Sequence, residues 1–208
     1  MSQMYSDAPY TLGNPEEQKR RKKLVFEAHH IQPLLPLVDK IRKGQQNEVP
    51  LPDPLDGGTN AKFLFLLRSP GREAKHSGFI SMNNPDPTAK NTFKFLHEAG
   101  FKRKDILLWN IVPWYLGKEA KNVNRETILV GAKYADDLVK LIPNLRALVF
   151  MGLDSKKAIP QFEKYLKGPK QIISYFTFLP STLGAFGGLE PKAGEILDNL
   201  KKIHADFL

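Results

Sequence analysis

From Lys62 onward the chain alternates short apolar runs with segments of helical period, and that alternation restricts it to few architectures. Phe63–Leu67, Ile106–Ile111, Ala147–Met151 and Ile172–Phe178 read as strands. The stretches near Ala89–Ala99, Arg125–Leu141 and Ser155–Leu166 read as the helices between them, and a last helix near Lys192–Phe207 closes the chain. Strands linked by helical crossovers lie parallel, with right-handed connections. The expected fold class is therefore α/β: a three-layer α/β/α sandwich around a central four-stranded parallel sheet.

Residues 1–61 read as a helical extension and connector ahead of the main unit, residues 62–208, the whole forming a single domain. Asn14-Pro15-Glu16-Glu17 has the order of a helix start, with a capping carboxamide, proline in the first turn and acids near the positive end. The basic run Lys19–Lys23 that follows suits phosphate contact, a nuclear address or a solvated helical face. A second helix is expected over Ile31–Lys43, and the prolines and glycines from Val49 to Gly58 mark a turn-rich connector.

With 31 lysines and arginines against 22 acids the chain carries a formal charge of +9, which favours polyanionic partners such as nucleic acid. It contains no cysteine, which excludes disulfides, thiolate zinc sites and cysteine-held iron–sulfur clusters. No apolar run nears the roughly 20 residues that span a bilayer, and the first residues lack the order of a secretory signal. The expectation is a cytoplasmic protein, nuclear if its source has a nucleus, with no membrane partner.

In open parallel sheets the ligand crevice lies beyond the carboxyl ends of the strands. The segments there are unusual: Arg68-Ser69-Pro70-Gly71-Arg72-Glu73 after the first strand, Asn110-Ile111-Val112-Pro113-Trp114 after the second, and Leu179-Pro180-Ser181-Thr182-Leu183-Gly184 after the last. Asn110 stands out. A carboxamide fixed at a buried strand end donates one hydrogen bond and accepts another, as reading a pyrimidine edge requires; taken alone, an asparagine there also serves as an ordinary turn residue.

In that order and at those strand ends, the three segments resemble the motifs of the uracil-DNA glycosylase superfamily over about Phe63–Gly188. Ala28–Arg42, Asp86-Pro87-Thr88-Ala89-Lys90-Asn91 and the Val-Pro-Trp-Tyr after Asn110 look like a bacterial branch of it. The resemblance implies a uracil-DNA glycosylase-like sandwich that rotates a uracil nucleotide out of DNA into a fitted pocket and hydrolyses its glycosidic bond. It implies a monofunctional enzyme of base-excision repair, leaving an abasic site, acting as a monomer on DNA and needing no cofactor or metal.

By the same resemblance Asn110 reads the uracil edge and Phe79 stacks on the base, although Phe79 is equally at home in a core. The backbone amides of Ser69 and Gly71 face the uracil O2 oxyanion. Pro180 and Ser181 pinch phosphate, Leu183 or Phe186 fills the vacated stack, and Arg72, with Lys75 and Lys118, contacts the phosphodiester; a glycine-rich loop with an exposed phenylalanine is the plain alternative. The well-known members carry an acid or asparagine where this chain has Ser69, or a glutamate where it has Arg68, and many carry a histidine where it has Leu179. Substitutes lie nearby. Ser69, Asp86 and Asn91 are the candidates for holding or activating water, with Glu73 and His76 close in sequence; Asp86 also suits a helix cap, Asn91 the inner turn of that helix, and Arg68 a salt bridge to Asp56 or Glu73.

Two rivals accompany this reading. One is a module that binds uracil-containing or abasic DNA without cutting it, favoured by Ser69 and Leu179. The other is an α/β enzyme acting on a free nucleotide or phosphoester, suggested by crevice and charge alone.

Overall fold

The computed structural model describes residues 7–117, 120, 123–168, 172–181 and 192–208. Leu183, Phe186 and Lys118 lie outside these residues. The strands are β1 (Leu51–Pro52), β2 (Phe63–Leu67), β3 (Phe79–Ile80), β4 (Ile106–Asn110), β5 (Ala147–Met151) and β6 (Ile173–Thr177). The helices are α1 (Pro15–Glu27), α2 (Leu35–Gln45), α3 (Arg72–Ser77), α4 (Pro87–Glu98), α5 (Arg125–Lys140), α6 (Leu153–Lys156), α7 (Glu163–Leu166) and α8 (Ala193–Ala205).

Four strands form a parallel sheet in the order β4-β2-β5-β6, flanked by helices on both faces. Burial of both faces explains why β2 and β5 are apolar at every position. On one face Phe63 and Phe65 meet Phe101 edge-on at 5.0 and 5.3 Å, beneath α4 and α8. On the other, α5 packs beside α2, and Trp114 meets Tyr134. The expected helix over Ser155–Leu166 is broken into α6, a 3-10 turn at Ile159–Phe162 and α7, since Pro160 cannot supply the amide a continuous helix needs.

The extension shares the core of the sheet. Leu12, Val25, Ile31, Leu34, Val38 and Ile41 are fully buried in the same apolar cluster as Leu64, Phe65 and Leu148. Its connector also covers the outer edge of β4, whose exposed ladder would otherwise invite another strand. The Gly57 amide donates to the Ile106 carbonyl at 2.7 Å, and the Leu108 amide donates to Asp56 Oδ2 at 3.1 Å. The adjacent turn needs glycine: Gly58 has φ of 54°, and a Cβ there would sit 2.2 Å from the His30 carbonyl oxygen.

A polar cluster binds the extension to the sheet. Asp53 is fully buried and accepts from Arg21 Nη1 at 2.6 Å, Arg103 Nη2 at 2.9 Å and the Ser81 hydroxyl. Arg103 Nε donates to Asp56 at 2.6 Å and its Nη1 to Asp7 at 2.6 Å, while Arg21 Nε reaches Glu17 at 2.9 Å. The basic run thus has a divided role. Arg21 is wholly inside, whereas Lys19, Lys22 and Lys23 are exposed.

Candidate functional site

A cleft of about 490 Å³ opens over the carboxyl ends of β2 and β4, a volume suited to a small molecule or a single nucleotide. Its walls come from the segment after β2 (Leu67 to Ala74), the loop from Ile80 into α4, the end of β4, and Leu179 and Ser181 beyond β6. Of the residues singled out in the sequence, Ser69, Gly71, Arg72, Asp86, Asn110 and Ser181 line it. Asn91, Phe79 and Pro180 do not.

Asn110 is the last residue of β4. Side chains alternate along a strand, so Leu108 and Asn110 face the cleft while Trp109 between them is buried in the core. The ladder holds it on both sides of its own position: Asn110 pairs with Leu67, and beyond it the amides of Ile111 and Val112 donate to the carbonyls of Leu67 and Arg68 at 2.7 and 2.9 Å. Pro113, without an amide, ends the run. α5 presses on the same segment, where a Cβ on Gly131 would stand 2.2 Å from the Ile111 carbonyl oxygen, so only glycine permits this approach. The carboxamide is 3% exposed, and its Oδ1 is buried without a hydrogen-bond partner among the described residues. An acceptor left unsatisfied inside a protein costs about 1–3 kcal/mol, and a donor supplied by a ligand removes that cost.

The Ser69–Gly71 segment lines the same cleft. Neither the Ser69 nor the Gly71 amide makes a hydrogen bond among the described residues, and the space where a Gly71 Cβ would stand is empty for 4 Å. A ligand atom can therefore approach this backbone closely. Arg68 pairs with Asp154 at 3.4 Å, not with Asp56 or Glu73; Asp56 is held by Arg103, and Glu73 by Arg72 Nε at 3.1 Å. Lys75 is drawn to Glu48 at 2.9 Å.

Glu73 and Asp86 are the carboxylates of the cleft wall among the described residues. Asp86 caps α4 through Oδ1, which accepts from the Ala89 amide at 2.9 Å, and Pro87 occupies the first turn. Burial raises its pKa above the ordinary aspartate value, against the lowering pull of the cap, and the charge of Glu73 adds to the rise. The same side chain both caps the helix and lines the cleft.

Two expected roles need correction. Phe79 is fully buried: on β3 it points into the core while Ile80, its neighbour, faces the cleft. Its backbone is pinned from both sides, the Phe79 amide donating to the Ser77 hydroxyl at 3.1 Å and its carbonyl accepting from Asn84 Nδ2 at 2.9 Å. Asn91 is turned from the cleft and donates through Nδ2 to the Pro180 carbonyl at 3.1 Å, holding the segment after β6 against α4. Ser181 follows this tether and faces the cleft, its amide donating to the Leu179 carbonyl at 2.7 Å.

Sequence reading missed the support beneath the loop. Ser81 lines the cleft and hydrogen bonds to buried Asp53, so the ion cluster braces the Ile80–Asp86 wall from behind. The prolines flanking Asp53 and the glycines after Asp56 point to a turn, and nothing local marks their arginine partners. The cluster contains Arg20, Arg21 and Arg103 against Glu17, Asp53, Asp56 and Asp7, an excess of carboxylates. The two central acids divide accordingly. Asp53, held by both guanidiniums, lies below the usual aspartate range despite its burial, while burial and the charge of Asp53 push Asp56 up to about 7.

Among the described residues no group of three or more histidines and acids could hold a metal ion, and no helix is long and apolar enough to cross a membrane. No family model matches the chain, and no curated protein sequence matches it.

Proposed function

We propose that the cleft takes an extruded uracil from DNA and cleaves its glycosidic bond, leaving an abasic site. The observation that carries this reading is the buried, unpartnered Oδ1 of Asn110 on the cleft wall. Uracil brings what it lacks: N3–H donates to Oδ1 while O4 accepts from the same carboxamide. Cytosine presents an acceptor at N3 and a donor at N4, and meets the wrong polarity. The free amides of Ser69 and Gly71 supply donors for uracil O2 as negative charge grows there.

In this reading the bond between the sugar C1′ and the base N1 breaks with its electron pair going to N1. Water bonds to C1′, and its proton passes to Asp86. Burial raises the pKa of this half-buried carboxylate, which makes it a stronger base for that proton. The net charge of +9 favours the approach of DNA.

A single-turnover assay on an oligonucleotide bearing one uracil tests the reaction, which predicts an alkali-sensitive product. The second reading is a binder of uracil-containing or abasic DNA that does not cut. It is favoured by the use of Asp86 as a cap and by the engagement of Glu73 with Arg72. It predicts retention of the oligonucleotide with no product.

A further inference from the structure

β6 is the edge of the sheet, and two aromatic rings, Phe176 on it and Phe178 just past its end, remain half exposed. Phe176 and Phe178 lie on one face, their centroids 5.4 Å apart. Each is covered by an ammonium: Lys156 Nζ lies 4.7 Å from the Phe176 centroid, and Lys192 Nζ 4.5 Å from that of Phe178. The chain runs from this strip into the cleft wall: Leu179, the residue after Phe178, lines the cleft. Arg68, also on the cleft wall, bridges to Asp154 on α6, the helix that ends in Lys156.

We propose that Phe176 and Phe178, with Lys156 and Lys192, form a track for single-stranded nucleic acid that continues the cleft. Charge complementarity selects this occupant. Lys156 is exposed and makes no salt bridge among the described residues; Lys157 pairs with Asp154, and Lys192 with Glu195 at 3.1 Å, both on the surface. An exposed cation–π contact favours its closed state by about two- to fivefold. A base stacked on an aromatic ring gains about five- to 150-fold. A base therefore displaces each lysine from its ring, and the freed ammonium meets the phosphate next to that base. Duplex bases, already stacked on one another, cannot make this exchange, so the track selects single strands.

This inference rests on the cleft being a nucleic-acid site, and uracil-free DNA separates the two. Labelled oligodeoxycytidylates of about 5 and about 15 nucleotides, spanning the range of single-strand site sizes, whose bases do not offer the uracil edge, are titrated against the protein by fluorescence anisotropy. The longer one should bind more tightly, and Phe176→Leu together with Phe178→Leu should weaken it about tenfold or more while the short one changes little. Lys156→Gln should reduce its salt dependence. Thermal melting identifies variants that fail to fold, and Lys156→Gln, on an exposed side chain, keeps the test open in that case. Unchanged binding by the leucine variants, tighter binding of duplex than of single strand, or a concentration-dependent dimer abolished by the same substitutions overturns the track. Failure to excise uracil, with the length dependence intact, overturns the reaction alone.

Discussion

The Asn91 carboxamide donates to the Pro180 carbonyl at 3.1 Å, so the helix that begins at the cleft wall holds the segment that follows the last strand. Ser181, the next residue, lines the cleft because of that tether. Asn91→Ala should cost about 1 kcal/mol of stability, the ordinary value of one hydrogen bond. Its larger effect should be a raised KM for uracil-containing oligonucleotide with a smaller change in kcat, measured by steady-state kinetics. A kcat loss of about 10²-fold at unchanged KM would instead mark Asn91 as a group that touches the reacting water.

Phe79 makes the opposite case. A fully buried phenylalanine truncated to alanine typically costs about 3–5 kcal/mol, so Phe79→Ala should lower the denaturation midpoint strongly. Phe79→Leu should fold and retain uracil-over-cytosine selection. If Phe79→Ala is as stable as the wild type in a urea melt and only binding falls, the ring serves the ligand and not the core.

Asp56 makes stability depend on pH. Its folded-state pKa of about 7 lies above the ordinary aspartate value of 3.8, so its contribution is fully present below pH ~4 and lost as pH rises through ~7. Asp53, shifted downward, has the opposite sign: its contribution holds above its unfolded pKa and is lost at lower pH. Asp56→Asn should therefore flatten the decline of stability between about pH 4 and 7, read from urea melts at stepped pH. A decline of the same slope in the variant would place the titrating group elsewhere.

Gly131 carries a prediction about position. A methyl group there meets the Ile111 carbonyl, one residue past Asn110, and that backbone cannot move without disturbing the strand end. Gly131→Ala should destabilise the fold by about 1–3 kcal/mol through overpacking, despite alanine's better helix propensity, and should weaken uracil selection. An increase in stability would show that α5 yields without moving the strand end.

What the sequence reveals of this molecule follows the range of the forces involved. The caps at Asn14 and Asp86 bond to amides two and three residues away, so a four-residue pattern suffices to find them. The parallel strands are legible because burial on both faces removes polar residues from the run, and Asn110 because it interrupts such a run. Phe79 is not legible in the sequence for lack of period: β3 has two residues, and only its pairing with Leu51 and Pro52 decides which of them faces the core. The ion cluster is invisible for a related reason. Arg21 meets Asp53 and Asn83 across 32 and 62 residues, and no local spacing encodes such partners. Asn91 shares its helix with Thr88 and Thr92, which do face the cleft, and only its contact with Pro180 shows that it is turned aside.

The central claim is that Asn110 selects the base, and the Asn110→Asp exchange tests it most directly. The carboxylate accepts but cannot donate, so it loses its bond to uracil O4 and gains one from the cytosine N4 amino group. Single-turnover excision from matched uracil and cytosine oligonucleotides should show the preference for uracil reduced by about 10²-fold or more, as expected when a buried polar group loses its complement. Excision of uracil at the wild-type rate and with the wild-type preference would contradict the account.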